Sequence, residues 1–318
     1  MTANPEDVLP IDEGDLEDIQ SCAAYVKEIY TYLLQTEEQY KMDPNFLQRQ
    51  TEISSEDRTV LLDWLSRAHS KFNLANESYF HTIALFDRLL ELVPICKCDL
   101  KVVGMACLLI ASKYEQSYIP SLRHYVDLLL QDGSARYCNC EQCQFRYQGQ
   151  GLRRFASIPH DGRSDYEVIP PMTPDQFAIQ CSLPPCTACT RAALLQAEEE
   201  ILHVLDFRLN IPTPLVFLRR YCKIAGMKPR DRYISFYLGE LCAVDDQIVT
   251  RYRPSLVAAG CVALTRRLTR KPSWSPELQQ YSGYSEHDVR EILADVSTTL
   301  KQLALSQKVK YIRRKYSQ

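Results

Sequence analysis

The sequence predicts an all-α protein with two cores, and three observations lead there. Apolar residues recur at helical period along most of the chain. The strand signal is weak, with few alternating Val, Ile or Thr runs, only ten glycines, and no Asn-Gly or Asp-Gly turn between two such runs. A segment near residue 100 is echoed near residue 256, and 318 residues suffice for two ordinary cores.

Taken in order, Tyr25, Ile29, Tyr32 and Leu33 mark one face of a first helix. Val60, Leu61, Trp64, Leu65 and Ala68 mark a second, with Ser54 or Ser55 as its cap and Asp57 in its first turn. Further helices are predicted at about 77–91, 99–112, 121–130, 192–205, 214–224, 230–243, 254–268 and 285–303. Leu100, Gly104 and Leu108 align with Leu256, Gly260 and Leu264 at one constant offset. Both segments are rich in Gly, Ala and Cys, which lets neighbouring helices approach closely at the centre of a bundle. Residues 131–190 break the pattern; they hold many of the prolines and glycines and read as an insertion or long loop.

Hydrophobic content of 46% and charged content of 24% are those of a globular chain. Apolar runs such as Val102–Ala111 fall short of the ~20 residues that cross a bilayer, so no membrane span is expected. A net charge of −3 argues against a phosphate-tracking surface. Residues 1–20 carry seven acids and no base, which disfavours secretion and organelle import and points to cytosol or nucleus. Thirteen cysteines in a reducing compartment read as buried thiols or metal ligands. Cys107 and Cys261, in apolar surroundings, read as core; Cys138, Cys140, Cys143, Cys181, Cys186 and Cys189 cluster in the insertion.

At this point the chain resembles the cyclins, in particular the mitotic B type. The first repeat matches in DRTVLLDWLSRAHSKFNL, FDRLLE, LKVVGMACLLIASKYEQSYIP and ILHVLDFRLNIPTPLVFLRRY; the second matches in RPSLVAAGCVAL and WSPELQQYSGYSEHDV. The resemblance covers roughly residues 20–130 and 190–316. It implies two tandem five-helix cyclin boxes plus an N-terminal helix, with a Cys-rich irregular insertion in the first box. The expected divisions are an acidic disordered N-terminus at 1–19, an N-terminal helix at 20–45, box 1 at 55–209 with its insertion at about 131–190, box 2 at 210–305, and a basic tail at 306–318.

The resemblance implies a non-catalytic subunit that binds and activates a cyclin-dependent serine/threonine kinase in mitotic (G2/M) control, as a heterodimer found in nucleus and cytoplasm. Kinase substrates and inhibitors are further partners it suggests; neither membrane nor nucleic acid is expected. Independently, the sequence shows no Gly-rich phosphate loop, no kinase catalytic-loop signature, no HExxH and no GxSxG. The family's lysine and glutamate that bond to kinase backbone fall here on Lys113 and Glu198. Its apolar and aromatic contact surface falls on Tyr25, Ile29, Tyr32, Tyr114, Leu202 and Phe207; ordinary packing is the alternative, above all for Leu202 and Phe207.

The family's substrate-docking patch falls on Val60, Leu61, Trp64 and Leu100. Its usual Met is replaced by Asp57, its Glu by Arg67 and its Gln by Lys101, so an Arg-bearing substrate motif loses its acidic partner. Core and edge packing is the alternative role for Val60, Leu61 and Trp64. No Arg-x-x-Leu or Lys-Glu-Asn degradation signal precedes Arg49, and the matches at Arg58 and Arg191 lie on predicted helices.

No cofactor is required by this reading. Cys140 and Cys143 with Cys186 and Cys189 form two CxxC pairs that suit a structural zinc, with Cys138 and Cys181 as spare ligands or spare thiols and His160 as a substitute. Unliganded thiols in a loop are the alternative, since the gap between the pairs exceeds the usual spacing. Lys308, Lys310, Arg313, Arg314 and Lys315 read as a solvated tail packing back through Tyr311 and Tyr316, or as an import or phosphate-contacting patch. Other readings are a transcriptional cyclin, a cyclin-fold DNA-binding transcription factor and a kinase-independent scaffold; the charge and the position of the cysteines disfavour the DNA-binding one.

Overall fold

The computed structural model describes residues 8–18, 21–131 and 187–317, and among them it holds helices and no strand. The helices are α1 (Val26–Glu37), α2 (Ser55–Lys71), α3 (Asn76–Leu92), α4 (Leu100–Glu115), α5 (Leu122–Gln131), α6 (Thr187–Val204), α7 (Pro214–Ile224), α8 (Pro229–Val244), α9 (Asp246–Arg251), α10 (Pro254–Leu268), α11 (Pro276–Ser282), α12 (Glu286–Leu303) and α13 (Lys310–Lys315). They form two compact units: Asp43–Leu209 with Gln307–Gln318, and Met1–Met42 with Asn210–Ser306.

Local chemistry fixes the helix starts. Ser54 caps α2 through the Asp57 amide while the Asp57 carboxylate accepts from the Ser54 N–H, a reciprocal capping box. Ser285 and Asp288 repeat the device on α12. Pro214, Pro229, Pro254 and Pro276 sit at the first turns of α7, α8, α10 and α11, where a missing N–H costs nothing.

In the first unit α4 is the hub, packed against α2, α3, α5 and α6. Val103, Ala106, Cys107 and Leu108 are fully buried on it. A Cβ on Gly104 would stand 3.0 Å from Leu61 Cδ2, so the glycine lets α2 come close. In the second unit α10 is the hub, against α7, α8, α9 and α12. A Cβ on Gly260 would stand 2.7 Å from Ile292 Cγ1. The repeated glycines thus occupy matching hub positions but admit different neighbours: the first helix of one box and the last helix of the other.

Arg58, which opens one of the Arg-x-x-Leu matches, is completely buried and forms a bidentate pair with Asp87 at 2.6 Å for both bonds. It ties α2 to α3, and its burial removes it as a readable degradation signal.

The N-terminal end departs from the expected divisions. Residues 1–19 were expected to be disordered, yet Pro10–Asp15 form a 3-10 helix whose Asp12 is fully buried. Arg220 grips it bidentately at 2.6 and 2.8 Å, and Lys223 adds a third bond. Burial alone would raise the Asp12 carboxyl, but the bonds and charges of Arg220 and Lys223 outweigh it and hold the group below its usual range. The basic tail is likewise ordered. Val309 and Ile312 are fully buried, and α13 packs on α2 with the Tyr311 and Ile312 amides donating to Asp63. A carboxylate there meets the N–H groups at a helix start.

The N-terminal helix also has a committed side. Tyr30, Leu33 and Leu34 pack into the core of the second unit, and the Glu37 carboxylate accepts from Ser255 N at 2.9 Å and Oγ at 2.5 Å. That bond satisfies an orphan amide in the first turn of α10.

A candidate protein-docking face

Lys113 lies in the last turn of α4 and Glu198 in the middle of α6, and the packing of these two helices brings them together. Lys113 Nζ donates to Glu198 Oε1 at 2.6 Å. The glutamate side chain is largely buried while the lysine's is 47% exposed, so the charge pair opens to solvent through the lysine. A cation in the last turn also suits the negative end of the α4 dipole.

Aromatic and apolar groups lie on the same two helices and in the turn after α6. Tyr114 is half exposed and stands edge-on to the His81 ring at 4.8 Å. His81 is buried; Nδ1 is 3.0 Å from Glu115 Oε1 and Nε2 is 2.7 Å from the Leu209 carbonyl. It therefore braces the end of α4 to the segment after α6. Leu202 is partly buried on α6, and Phe207 is 61% exposed in the turn that follows. Asp206 and Phe207 both adopt positive φ, 51° and 53°, a left-handed pair that is costly for non-glycine residues and turns Phe207 outward. His81 carries little signal in the sequence: it is an imidazole between Phe80 and Thr82 on a helix that also holds Glu77, Asp87, Arg88 and Glu91.

Tyr25 at the N-cap of α1, with Ile29 and Tyr32 on it, forms a stripe that is 42%, 40% and 53% exposed, opposite the face that enters the core. Spacings of four and three residues stack them on one side of the helix. The Tyr32 hydroxyl accepts from Asn210 Nδ2 at 2.8 Å, which orients the ring.

Of the docking-patch residues, Leu61, Trp64 and Leu100 are buried and only Val60 is exposed. Lys101 Nζ covers the Trp64 ring at 5.3 Å, Asp57 is paired to Lys97 at 2.8 Å, and Arg67 lies over Tyr311. These three substitutions are thus engaged in contacts of the fold. Cys140, Cys143 and Cys186, with Cys138, Cys181 and His160, lie outside the described residues, as does the side chain of Cys189. Among the described residues no cluster of three or more His, Cys, Asp or Glu could hold a metal ion, and no helix is long and apolar enough to cross a membrane.

Two family models match this chain: "Cyclin, N-terminal domain" over residues 28–142 and "Cyclin, C-terminal domain" over 212–318. It is 32% identical over 90% of its length to the G2/mitotic-specific cyclin-B2 of Oryzias latipes, covering 59% of that protein. It is 31% identical over 89% to the cyclin-B2 of Mesocricetus auratus, covering 57%. To the G2/mitotic-specific cyclin-B of Dictyostelium discoideum it is 29% identical over 99%, again covering 59%. The chain thus spans under two thirds of the length of these relatives. In fold it resembles the X-ray structure of a viral cyclin from Herpesvirus saimiri, with a TM-score of 0.58, 17% identity, and coverage of 85% of this chain and 96% of that one. Two matched domains in tandem along the chain lead to one conclusion: this chain belongs to the cyclin family.

Proposed function

We propose that the chain is a non-catalytic regulatory subunit that binds and activates a cyclin-dependent serine/threonine kinase at G2/M, in nucleus and cytoplasm. The observation that carries the reading is the Lys113–Glu198 pair at 2.6 Å, with Tyr114 exposed next to Lys113 in the chain and Phe207 exposed in the turn after α6. A lysine and a carboxylate held side by side offer a donor and an acceptor to the backbone of a partner, and charge-assisted bonds of this kind fix register. The exposed rings supply contact area with few rotamers to freeze.

Activation would be positional. A protein kinase is competent when its regulatory helix is swung in, so that the phosphate-binding lysine meets its glutamate partner, and a docked protein can hold it there. The stripe of Tyr25, Ile29 and Tyr32 is a second element that this partner would cover. No metal is needed for this role. The alternatives of a transcriptional cyclin, a DNA-binding factor or a scaffold gain no support from the relatives matched.

The test is affinity purification of the full chain from its native cell, followed by kinase assay of wild type and of the Lys113→Ala, Glu198→Ala double variant. Kinase activity that follows the wild type and is lost with the double variant supports the reading. Equal activation by both at the same concentration overturns it.

A further inference from the structure

We propose that Cys96 and Cys98 form a redox-active dithiol site that closes to a disulfide when it meets a low-molecular-weight disulfide. The proposal is independent of the kinase-binding reading, because it rests on the segment that feeds α4. Val93–Cys96 run into a short 3-10 turn, Lys97–Asp99, directly before α4. Neither cysteine is in a disulfide, and their sulfur atoms are 2.6 Å apart. That is well inside the ~3.5–4.0 Å at which non-bonded heavy atoms settle. It is only about 0.6 Å beyond a disulfide bond.

The backbone permits closure. Two residues of extended chain span at most about 7 Å, and the turn shortens that, which brings the Cα separation into the disulfide range. So small a ring restrains the unfolded chain little and strains the folded one, so the bond would be labile and reversible rather than a structural staple.

Access is graded between the two thiols. Cys98 is partly exposed and Cys96 is only 2% exposed. This assigns the order of events. The Cys98 thiolate attacks one sulfur of the external disulfide, breaking its S–S bond and releasing one small thiol. The Cys96 thiolate then attacks the Cys98 sulfur and releases the second. Two protein thiols are oxidised, one external disulfide is reduced to two thiols, and the two protons from the cysteines end on those thiols. The buried pair Cys242 and Cys261, 3.8 Å apart on α8 and α10, makes the contrast: no oxidant reaches it without unfolding.

Closure would be felt at the start of both α2 and α4. Lys97, between the two cysteines, donates its amide to Glu52 and its ammonium to Asp57 of the α2 capping box. Leu100, two residues on, is the first residue of α4.

The test uses the full chain equilibrated with oxidised glutathione, alkylated with iodoacetamide and cut with trypsin. Trypsin cleaves after Arg88, Lys97 and Lys101, so the bond leaves peptides 89–97 and 98–101 joined, two hydrogens lighter than their sum, and dithiothreitol separates them. The Cys96→Ser variant should accumulate one glutathione on Cys98, and Cys98→Ser should lose the linked pair and leave Cys96 unmodified in the folded protein. Three results would each overturn the proposal: both cysteines recovered alkylated, a stable glutathione adduct on Cys98 of the wild type, or Cys98 joined to a cysteine other than Cys96.

Discussion

Lys113 and Glu198 stand 85 positions apart in the chain and 2.6 Å apart in the structure. Helix α4 ends where α6 passes, so a cation and a carboxylate from the two sides of the insertion meet at one point. For folding alone such a half-exposed pair is worth at most about 1 kcal/mol. A docked partner changes that, since it would desolvate both groups. Lys113→Ala with Glu198→Ala is therefore expected to weaken kinase binding by about 2–5 kcal/mol. The same variant should leave the urea midpoint almost unmoved, which separates a docking role from a structural one.

Arg58 and Asp87 offer the opposite case. Both are buried and matched bidentately, so removing one leaves an uncompensated charge in the core. Asp87→Ala should cost about 3–5 kcal/mol in denaturant unfolding. The paired Arg58→Met, Asp87→Leu variant should recover most of that loss, because two apolar side chains of similar size leave no orphan charge. Equal losses in both variants would show that packing rather than charge is at stake.

The two hub glycines should respond unequally to a methyl group. Gly260→Ala places a Cβ 2.7 Å from Ile292, which must shift; Gly104→Ala meets Leu61 at 3.0 Å, a smaller intrusion by a flexible side chain's end. Overpacking of this kind costs about 1–3 kcal/mol. The expected order of thermal midpoints is wild type, Gly104→Ala, then Gly260→Ala, read by circular dichroism.

His69 makes stability depend on pH. Burial, followed by the nearby charge of Lys315, pushes its imidazole from the ordinary 6.5 down to about 4, against a hydrogen bond to the Ala75 carbonyl that favours the proton. Between those values the unfolded chain binds a proton that the folded chain refuses. Its contribution is full above pH 6.5 and is lost as pH falls toward the folded value. From pH 7 to 5 the loss should reach about 2 kcal/mol, at 1.36 kcal/mol per pH unit. His69→Gln should flatten that slope in urea titrations, and an unchanged slope would assign it to other groups.

Much of this was legible in the sequence because it was periodic or local. The Gly104 and Gly260 echo revealed two hubs, and Ser54 with Asp57 revealed the start of α2. What escaped was contact between distant, unpatterned residues. Nothing marks Asp12 among its neighbouring acids as the one that reaches Arg220, 208 positions away. Helix α13 is too short for a period, so Val309 and Ile312 were hidden inside a run of cations. Trp64 and Leu100 suggested a surface patch on resemblance, but Lys101 lies over the indole and both side chains are buried. His81 was passed over because its two partners, Glu115 and the Leu209 carbonyl, come from elements 34 and 128 positions away.

The grouping of the chain ends bears on how this protein can be cut. Each compact unit is discontinuous: Met1–Met42 joins Asn210–Ser306, while Gln307–Gln318 joins Asp43–Leu209. Severing the chain between the two repeats therefore does not yield two self-sufficient modules. A fragment ending at Leu209 lacks the helix that lays Ile312 and two amides on α2, and its own Asp63 carboxylate loses those donors. A fragment beginning at Asn210 lacks the carboxylates that meet Arg220 and Ser255. Autonomous pieces would need their distant terminal segments supplied, by splicing or as a second peptide, so the repeat visible in the sequence is smaller than the unit that folds.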